Sequence, residues 1–332
     1  MKPILGITIG DFNGIGPEVA LKAIISPEVK KICSPILIGS VELFSHYSKI
    51  FKISKKIIPI SKTEEGLNCN GLPCINIYDG NVKQLQIGKP SPDAGVCAGK
   101  SIEEAVKLTL AKQIDGFITS PTSKESLHYA GYNFPGQTEM IAMLSRSEKV
   151  IMILSSPNMR VGLVTVHSPI SEISSLITQQ RILEKSETFA KSLQEDYGIT
   201  NPKIAVLGLN PHSGENGAIG MEEKKIIAPS IELLKQKGIN ISGPFSADGF
   251  FATYKKENWD GILAMYHDQG LIPFKMTEFE NGVNFSAGMK IIRTSPDHGT
   301  AYNIAGKGIA NFQSMISAIQ LAATIAQNRN SK

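Results

Sequence analysis

The feature that most constrains the fold is a regular alternation of short apolar runs with longer helix-like stretches. The apolar runs end at a glycine or a polar cluster and are predicted strands: Ile4–Ile9, Ile36–Ile38, Ile75–Tyr78, Phe117–Thr119, Val150–Leu154, Arg160–Val166, Lys203–Leu209, Gly261–Met265 and Ile291–Thr294. The longer stretches are predicted helices: Pro17–Ile25, Val96–Gln113, Ile177–Glu195, Glu222–Lys235 and Phe312–Ala326. Because strands that alternate with helices are joined by crossover connections, the pattern predicts an α/β fold with a largely parallel sheet.

Polar loops follow several of these strands. Segments 10–17, 131–138, 210–220 and 295–308 are rich in glycine, proline and asparagine. In a parallel sheet, the loops at the carboxyl ends of the strands form the binding crevice, and the rigid sheet holds them in place. We therefore expect the catalytic and binding groups in these loops.

Composition indicates a globular chain with a small anionic ligand. The 332 residues, 42% hydrophobic and 19% charged, are enough for one large or two ordinary α/β domains and are not typical of disorder. There are 34 lysines and arginines against 30 acidic residues, a net charge of +4. That excess suits a small anion and is too dispersed to indicate a nucleic-acid surface.

Cysteine spacing and hydropathy favour a cytoplasmic protein. Cys33, Cys69, Cys74 and Cys97 have no CxxC spacing, which suits a reducing compartment. No apolar run approaches the ~18 residues of a membrane span. The N-terminal run Ile4–Gly10 stops at Asp11 without a small-residue cleavage site, so we expect neither a signal peptide nor a membrane partner.

Two glycine-rich segments look like nucleotide-binding loops but have the wrong spacing. Gly10–Glu18 follows a strand and opens a helix, yet the dinucleotide fingerprint needs glycine where this chain has Val19. Gly95–Ser101 resembles a phosphate loop but is one residue short and follows no strand. The first segment therefore remains either a tight packing turn or a set of exposed N–H groups for an anion.

Three of the six histidines share one pattern, because each follows a predicted strand: His167, His212 and His267. Neutral imidazoles bind Zn²⁺, Co²⁺ or Ni²⁺, and three of them with an open position are typical of a catalytic metal site. Asp268 or Glu215 could orient an imidazole by a hydrogen bond to the ring nitrogen that does not bind the metal. The alternative is that each histidine only caps a turn.

Other polar groups could bind an anion or cap a helix. Ser120–Lys124 offers hydroxyls and a lysine after a strand, and Phe134–Glu139 offers an amide and a hydroxyl before a helix. Both segments could equally be caps. Lys275, Asn284 and Arg293 form a spaced set of donors, and Arg293 is expected at a strand end, where its guanidinium suits a carboxylate or phosphate.

The series of motifs resembles the 4-hydroxythreonine-4-phosphate dehydrogenase family of vitamin B6 biosynthesis. The matching segments run in order along nearly the whole chain: Gly10–Glu18, Phe134–Glu139, Leu209–Glu215, Ala264–Gly270 and Arg293–Ala301. The segment His298–Asn311 also resembles the coenzyme loop of isopropylmalate dehydrogenases. That wider group binds its coenzyme without a Rossmann fingerprint, which accounts for the missing glycine.

The resemblance implies a two-domain isocitrate/isopropylmalate dehydrogenase-like α/β fold with mostly parallel sheets and a cleft between the domains. Residues 1–130 and 296–332 would form a discontinuous first domain. Residues 131–295 would form the second domain, which carries the metal-ligand loops and the dimer interface. The protein would be a homodimer whose metal site is shared between the subunits.

The resemblance also implies a role for each candidate residue. The ligands of a Zn²⁺, Mg²⁺ or Co²⁺ ion would be His167, His212 and His267. The substrate contacts would be Gln137, Thr138, Lys275, Asn284 and Arg293, and the NAD or NADP contacts would be His298, Gly299, Thr300, Ala301 and Asn303. Asp248, Asp268 and Lys275 are the candidate catalytic groups for proton movement. The family often has His where this chain has Gln137, and isopropylmalate enzymes carry Asp where it has Asn303.

The activity implied is the NAD(P)-dependent oxidative decarboxylation of 4-phosphohydroxy-L-threonine to 3-amino-2-oxopropyl phosphate and CO₂. One alternative is a dehydrogenase of a related phosphorylated sugar acid, 4-phosphoerythronate or 4-phosphothreonate. Another is a metal-dependent phosphate or acyl transferase on a similar fold. A non-catalytic protein that binds a phosphoanion is the third.

Overall fold

The computed structural model describes residues 2–331. Its first part contains five strands and six helices: β1 (Ile4–Thr8), α1 (Gly16–Ile25), α2 (Pro27–Ile32), β2 (Ser34–Gly39), α3 (Val41–Ile50), β3 (Ile57–Ile60), β4 (Leu72–Asn76), α4 (Pro92–Leu110), β5 (Gly116–Ile118), α5 (Lys124–Tyr129) and α6 (Gln137–Leu144). Short 3₁₀ turns at Thr63–Asn68 and Val82–Gln84 join some of them.

The next part contains β6 (Ile151–Ser155), β7 (Arg160–Leu163), α7 (Ile170–Leu176), α8 (Gln179–Glu195), β8 (Ile204–Leu207), α9 (Ala228–Gln236), β9 (Ile241–Phe245), α10 (Ala247–Thr253), β10 (Gly261–Ala264), α11 (His267–Glu278) and β11 (Val283–Ala287). A 3₁₀ turn, Pro211–Gly217, and a π turn, Glu223–Ile227, lie between β8 and α9. The chain ends with β12 (Arg293–Pro296), a 3₁₀ turn at Tyr302–Ile304 and α12 (Gln313–Asn330).

The contacts divide the chain into two compact units. The first unit comprises the residues up to Ser147 together with Lys290–Gln327, and the second comprises Glu148–Met289 with the residues after Gln327. The sequence placed 131–147 and 290–295 in the second domain, whereas the contacts place them in the first. The reason is that α6 packs on α4 and β12 pairs with β5, both of which belong to the first unit.

Within the first unit the strand order is β3-β4-β2-β1-β5-β12, and these neighbours pair in parallel. The helix α4 buries Cys97, Ile102 and Ala105 and contacts β1, β2 and β5. The segment Gly95–Ser101 lies inside this helix and therefore does not form a phosphate-binding loop.

Within the second unit the strand order is β11-β6-β7-β10-β8-β9. The strands β7, β10, β8 and β9 are parallel, while β6 pairs antiparallel with both β11 and β7. Both units therefore confirm the predicted α/β class with mostly parallel strands.

Three strands were missed from the sequence, for identifiable reasons. Pro59 lies in β3 and Gly243-Pro244 lies in β9, and both residue types normally mark turns. Both strands are the outermost of their unit, where a missing N–H donor does least harm. In β11, Asn284 and Ser286 interrupt the apolar pattern that would have revealed a strand.

A buried cluster fixes α11 on the sheet of the second unit. Leu271 and Phe274 of this helix pack with Val161 of β7 and Ile262 of β10. Burying a side chain of this size contributes about 1.5–3 kcal/mol. The start of α11, which is His267, is therefore held firmly at the end of β10.

Neither membrane-spanning helices nor disulfides are found in the described part of the chain. None of the helices within residues 2–331 has the length and apolar character needed to cross a bilayer. The cysteines are all free, and three of them are buried: Cys33, Cys74 and Cys97.

Candidate active site

Three neighbouring parallel strands of the second unit each lead into one predicted metal ligand. The strands β7, β10 and β8 lie side by side in that order. His167 follows β7, His267 begins α11 after β10, and His212 lies in the 3₁₀ turn after β8. All three histidines therefore follow the carboxyl ends of adjacent strands, where ligands bind in folds of this kind.

His167 and His267 form a close pair. Their ring centroids are 6.0 Å apart and the ring planes differ by 42°. Asp268 Oδ1 lies 2.7 Å from His267 Nδ1, and this contact favours a proton on Nδ1 and leaves Nε2 free to bind a cation. A cavity of about 400 Å³ adjoins the pair, and Ser168 and Tyr266 help to line it.

His212 occupies a different setting, next to α10. Ser246 Oγ donates to Asp248 Oδ1 at 2.6 Å, and this hydrogen bond is the main cause of the lowered pKa of Asp248. A hydrogen bond from the Gly249 backbone and the charge of His212 act in the same direction. His212 therefore lies within electrostatic reach of Asp248.

The three histidines do not form a single group of ligands in the described part of the chain. Among residues 2–331, no three His, Cys, Asp or Glu side chains are grouped closely enough to hold a metal ion. The donor chemistry of His167 and His267 fits a divalent cation, but a further ligand is required. This observation is compatible with the shared site that the family resemblance implies.

The second unit also carries Lys275 and Asn284. Lys275 is exposed in the last turn of α11. Asn284 lies on β11, and its buried Oδ1 has no hydrogen-bond partner among the described residues. Because an unsatisfied buried acceptor costs about 1–3 kcal/mol, a ligand N–H or O–H that reached this atom would recover that free energy.

The first unit brings together three of the predicted substrate contacts, with Gln137 and Thr138 beside the guanidinium of Arg293. Arg293 is only 2% exposed and begins β12. Its Nη2 donates to Gln137 Oε1 at 3.1 Å, and its Nη1 lies 3.5 Å from Thr138 Oγ1. Its Nε and Nη2 also donate to Thr119 Oγ1, at 3.0 and 2.7 Å. We call these four residues the Arg293 cluster.

The Arg293 cluster holds a buried positive charge. Burial lowers the pKa of Arg293 to about 10, while the nearby carboxylate of Glu139 opposes that change. The guanidinium therefore remains protonated at neutral pH. A cation with little surrounding water attracts a phosphate or carboxylate more strongly than an exposed one does.

Of the hydroxyl groups that follow β5, one caps a helix and another contacts the Arg293 cluster. Ser123 caps α5, because its Oγ accepts from Ser126 N at 3.1 Å. Thr122 Oγ1 instead accepts a hydrogen bond from Gln137 Nε2. The helix α6 begins at Gln137 without a side-chain cap, so the capping interpretation of 134–139 is wrong. Both ends of the Gln137 amide are thus engaged.

The proposed coenzyme segment lies against the first glycine loop of the same unit. Ile15 N donates to Thr300 O at 2.9 Å, and a Cβ on Gly14 would lie 2.7 Å from that oxygen, so glycine is required there. Ala301 adopts a left-handed φ of 42°, and a Cβ at Gly299 would meet nothing within 4 Å. One side of the segment therefore packs on the backbone of Gly14 and Ile15, while the side at Gly299 is open to a ligand.

Two further residues assigned to the coenzyme lie in this segment. His298 Nδ1 lies 3.3 Å from Gly299 O, and Asn303 is exposed in the 3₁₀ turn Tyr302–Ile304. Asn303 is therefore accessible to a ligand on the open side.

The first glycine loop is a packing element. Asp11 Oδ2 accepts hydrogen bonds from Ser126 Oγ at 2.6 Å and Tyr302 OH at 2.8 Å, and its Oδ1 accepts from Asn13 N at 2.9 Å. Burial raises the pKa of Asp11 despite these hydrogen bonds. Since the N–H groups of Asn13 and Gly14 both bond to Asp11, the loop supports the 298–308 segment instead of offering those donors to an anion.

Comparison with known proteins identifies the family. The family model described as pyridoxal phosphate biosynthetic protein PdxA matches residues 31–322. The chain belongs to the PdxA family. This confirms the resemblance found in the sequence motifs.

Relatives match the PdxA-family chain along its whole length. The 4-hydroxythreonine-4-phosphate dehydrogenase of Bacteroides thetaiotaomicron is 42% identical over 326 residues, covering 98% of this chain and 89% of the relative. The D-threonate 4-phosphate dehydrogenase of Cupriavidus necator is 40% identical over 334 residues, covering 98% of each. The crystal structure of the Klebsiella pneumoniae 4-hydroxythreonine-4-phosphate dehydrogenase has a TM-score of 0.86 at 32% identity, covering 98% of this chain and 100% of that one.

Sequence reasoning assigned no role to three residues that support these sites. Thr119 directly follows β5, and its position at a strand end could have revealed it. Gln269 lies two residues after His267 in the Ala264–Gly270 segment, and its Nε2 donates to Gly208 O at 2.6 Å. Glu223 is one of several acids in a helix-like stretch, and no local pattern distinguishes it.

Proposed function

We propose that this PdxA-family chain catalyses the NAD(P)-dependent oxidative decarboxylation of 4-phosphohydroxy-L-threonine to 3-amino-2-oxopropyl phosphate and CO₂, in pyridoxal phosphate biosynthesis. The observation that carries the proposal is the Arg293 cluster, where the buried guanidinium, itself assigned to the substrate, lies against two further residues assigned to it, Gln137 and Thr138. Full-length similarity to dehydrogenases of phosphorylated four-carbon acids supports it. The free cysteines suit a cytoplasmic location.

In the first unit, the Arg293 cluster binds an anionic end of the substrate. The guanidinium is held by Thr119 and Gln137, so little conformational freedom is lost when an anion arrives. Thr138 adds a hydroxyl beside it. We assign the phosphate to this cluster, because a planar fork of N–H donors matches its oxygen atoms.

In the second unit, His167, His212 and His267 would hold Zn²⁺, Mg²⁺ or Co²⁺, which stabilises negative charge on the substrate oxygen when bound. The contact with Asp268 favours a proton on His267 Nδ1, which would leave Nε2 available to bind the ion. The third ligand, His212, would come from a second copy of the chain.

Lys275 is the proposed proton donor. Decarboxylation leaves a carbon that must take up a proton, and an exposed ammonium in the last turn of α11 can supply one. Asp268 is already engaged by His267, and the lowered pKa of Asp248 makes its carboxylate a weak base. Asn284 offers its buried Oδ1 to the N–H or O–H groups of the substrate.

NAD or NADP would bind on the open side of the 298–303 segment and supply the hydride acceptor. His298, Gly299, Thr300, Ala301 and Asn303 are the proposed contacts. Tyr302 and Thr300 anchor the segment on the glycine loop, which keeps its backbone fixed while a nucleotide enters or leaves.

A homodimer is proposed because α11 presents an apolar face. Ile272, Met276 and Phe279 lie on one side of the helical segment and are 57%, 81% and 65% exposed. Large apolar side chains exposed together are typical of a protein interface. Since α11 begins at His267, a second copy docked on this face would add its own side chains near the incomplete metal site.

The experiment is a spectrophotometric assay of nicotinamide reduction with purified protein and 4-phosphohydroxy-L-threonine. We expect reduced nicotinamide and CO₂ in equal amounts, loss of activity after chelation, and recovery with Zn²⁺, Mg²⁺ or Co²⁺. D-threonate 4-phosphate, which has a hydroxyl in place of the amine, is the matched control substrate and should turn over more slowly.

Three results would argue against the proposal. Faster turnover of D-threonate 4-phosphate would assign the chain to that sugar-acid activity instead. Release of inorganic phosphate or transfer of a phosphoryl or acyl group without nicotinamide reduction would favour a transferase. Tight ligand binding that is unaffected by chelation, without any turnover, would favour a binding protein.

A further inference from the structure

The turn that carries His212 has an unusual backbone. Every residue from His212 to Asn216 has φ between 43° and 76°, and only Gly214 among them is a glycine. A non-glycine residue in this left-handed region is strained and persists only where the surroundings enforce it. A nearby group must therefore hold the turn in shape.

Glu223 is the group in contact with this turn. It is 5% exposed, its Oε1 accepts from Asn210 N at 2.7 Å, and its Oε2 accepts from Asn210 Nδ2 at 2.9 Å. A Cβ on Gly214 would lie 2.5 Å from the same Oε2. The carboxylate thus bonds to the residue that precedes the turn and packs directly against the backbone at its centre.

The surrounding backbone places Glu223 for this contact. It begins the π turn Glu223–Ile227, a helix irregularity that is frequent at functional sites. The preceding residue, Glu222, accepts from Asn210 Nδ2 at 2.8 Å and from Ser174 Oγ at 2.6 Å. Ser174 belongs to α7, which follows His167, so the same group of side chains links two histidine-bearing segments.

We propose that Glu223 is a positioning residue that holds the strained His212 turn in the conformation needed for cation binding. The role of His212 in this statement rests on the proposed function. Glu223 itself touches neither substrate nor ion. It acts by accepting two hydrogen bonds from Asn210 and by filling the space beside Gly214.

The test uses Glu223→Gln in the full-length protein, with Asn210→Ala as the milder variant. The amide of Gln can accept from Asn210 N, but its NH₂ then opposes the Asn210 amide, which Glu222 already engages. Glu232→Gln is the matched control, because Glu232 is an exposed acid on α9 paired with Lys235. The measurements are hydrogen–deuterium exchange of segment 210–217 and titration of the protein with Co²⁺.

We expect Glu223→Gln to speed exchange in segment 210–217 by about 10-fold or more and to weaken Co²⁺ binding by about 10-fold. Asn210→Ala should change both in the same direction but less. The effect in the double variant should be smaller than the sum of the two single effects, because both substitutions break the contact between the Asn210 and Glu223 side chains and Asn210→Ala removes only the hydrogen bond to Glu222 in addition. Glu232→Gln should match the wild type.

Wild-type exchange in segment 210–217, or unchanged Co²⁺ affinity, in folded Glu223→Gln would overturn the proposal. If Glu223→Gln does not fold, unchanged exchange and unchanged Co²⁺ affinity in Asn210→Ala would overturn the proposal. Exchange reports on the turn without reference to catalysis. A wild-type protein with no dehydrogenase activity would therefore refute the proposed function, while faster exchange in the variants would still support the positioning role.

Discussion

The two candidate binding regions, one in each unit, differ in how far a single chain builds them. In the Arg293 cluster, Arg293 and Thr119 are buried, and the guanidinium donates to neighbouring side chains before any ligand arrives. In the second unit, His267 is 35% exposed, and no three ligands are grouped within residues 2–331. The first region is complete within the described residues, whereas the proposed metal site would need an ion and a further ligand.

This difference indicates separate tasks for the two regions. A pre-organised cation binds its anion without first rearranging, so it suits the part of the substrate that does not react. A partly open site on strained backbone suits the reacting end, where the proposed ion would enter and charge would develop. Substitutions in the first region should therefore weaken binding of the substrate. Those in the second region should weaken assembly of the proposed metal site.

The largest effect is expected for Arg293→Lys. Lysine lacks the planar fork of five N–H donors with which Arg293 contacts Thr119 and Gln137 and can still bind a phosphate, and hydrogen bonds to charged groups contribute about 1.5–3 kcal/mol. We expect kcat/KM to fall by about 100-fold, chiefly through KM, with Co²⁺ affinity unchanged. Steady-state kinetics and a Co²⁺ titration check this.

Arg146→Lys is the matched control for this substitution, because Arg146 is an exposed arginine of the same unit. It should behave like the wild type. If Arg293→Lys instead weakened Co²⁺ binding as much as it raised KM, the two regions would not have separate tasks.

A smaller effect is expected for Met276→Glu on α11. A carboxylate in the centre of the exposed apolar face should oppose docking of a second copy. We expect a monomer at micromolar concentration and a fall in specific activity of about 10-fold that is partly reversed at higher concentration. Light scattering and activity against protein concentration measure both.

Leu110→Glu, at another exposed apolar position, should leave the dimer intact. A wild-type protein that is fully active as a monomer would contradict the comparison. In that case the second unit would complete its site within one chain.

The sequence predicted those parts of the fold and of the candidate site that depend on local patterns of apolar and polar residues. Strands such as β1 and β10 are uninterrupted apolar runs, and His167, His212 and His267 each follow one. The pattern failed at β3 and β9, where Pro59 and Gly243-Pro244 read as turns although neighbouring strands stabilise the extended chain.

The contacts between distant segments could not be predicted in this way. Asp11 meets Tyr302, and Thr119 meets Arg293, because β1, β5 and β12 are neighbours in the sheet and not in the chain. The left-handed turn at His212 could not be predicted from the sequence either. Its residues are mostly not glycine, so its conformation depends on Glu223 and not on local preference.

The smallest effect, and the finest test of the Arg293 cluster, is expected for Gln137→His. Gln137 is neutral at all pH values, accepts from Arg293 Nη2 and donates to Thr122. An imidazole beside this cation should have a pKa below its usual value of about 6.5. Above that pKa the neutral ring can accept from Arg293, so we expect kcat/KM within a few-fold of wild type. Below it the imidazolium can only donate and repels the guanidinium, so the ratio of variant to wild-type kcat/KM should fall between pH 8 and about pH 5.5. Any pH dependence that the two proteins share cancels in the ratio. A ratio that stays constant with pH would show that position 137 does not contact the charged cluster during turnover.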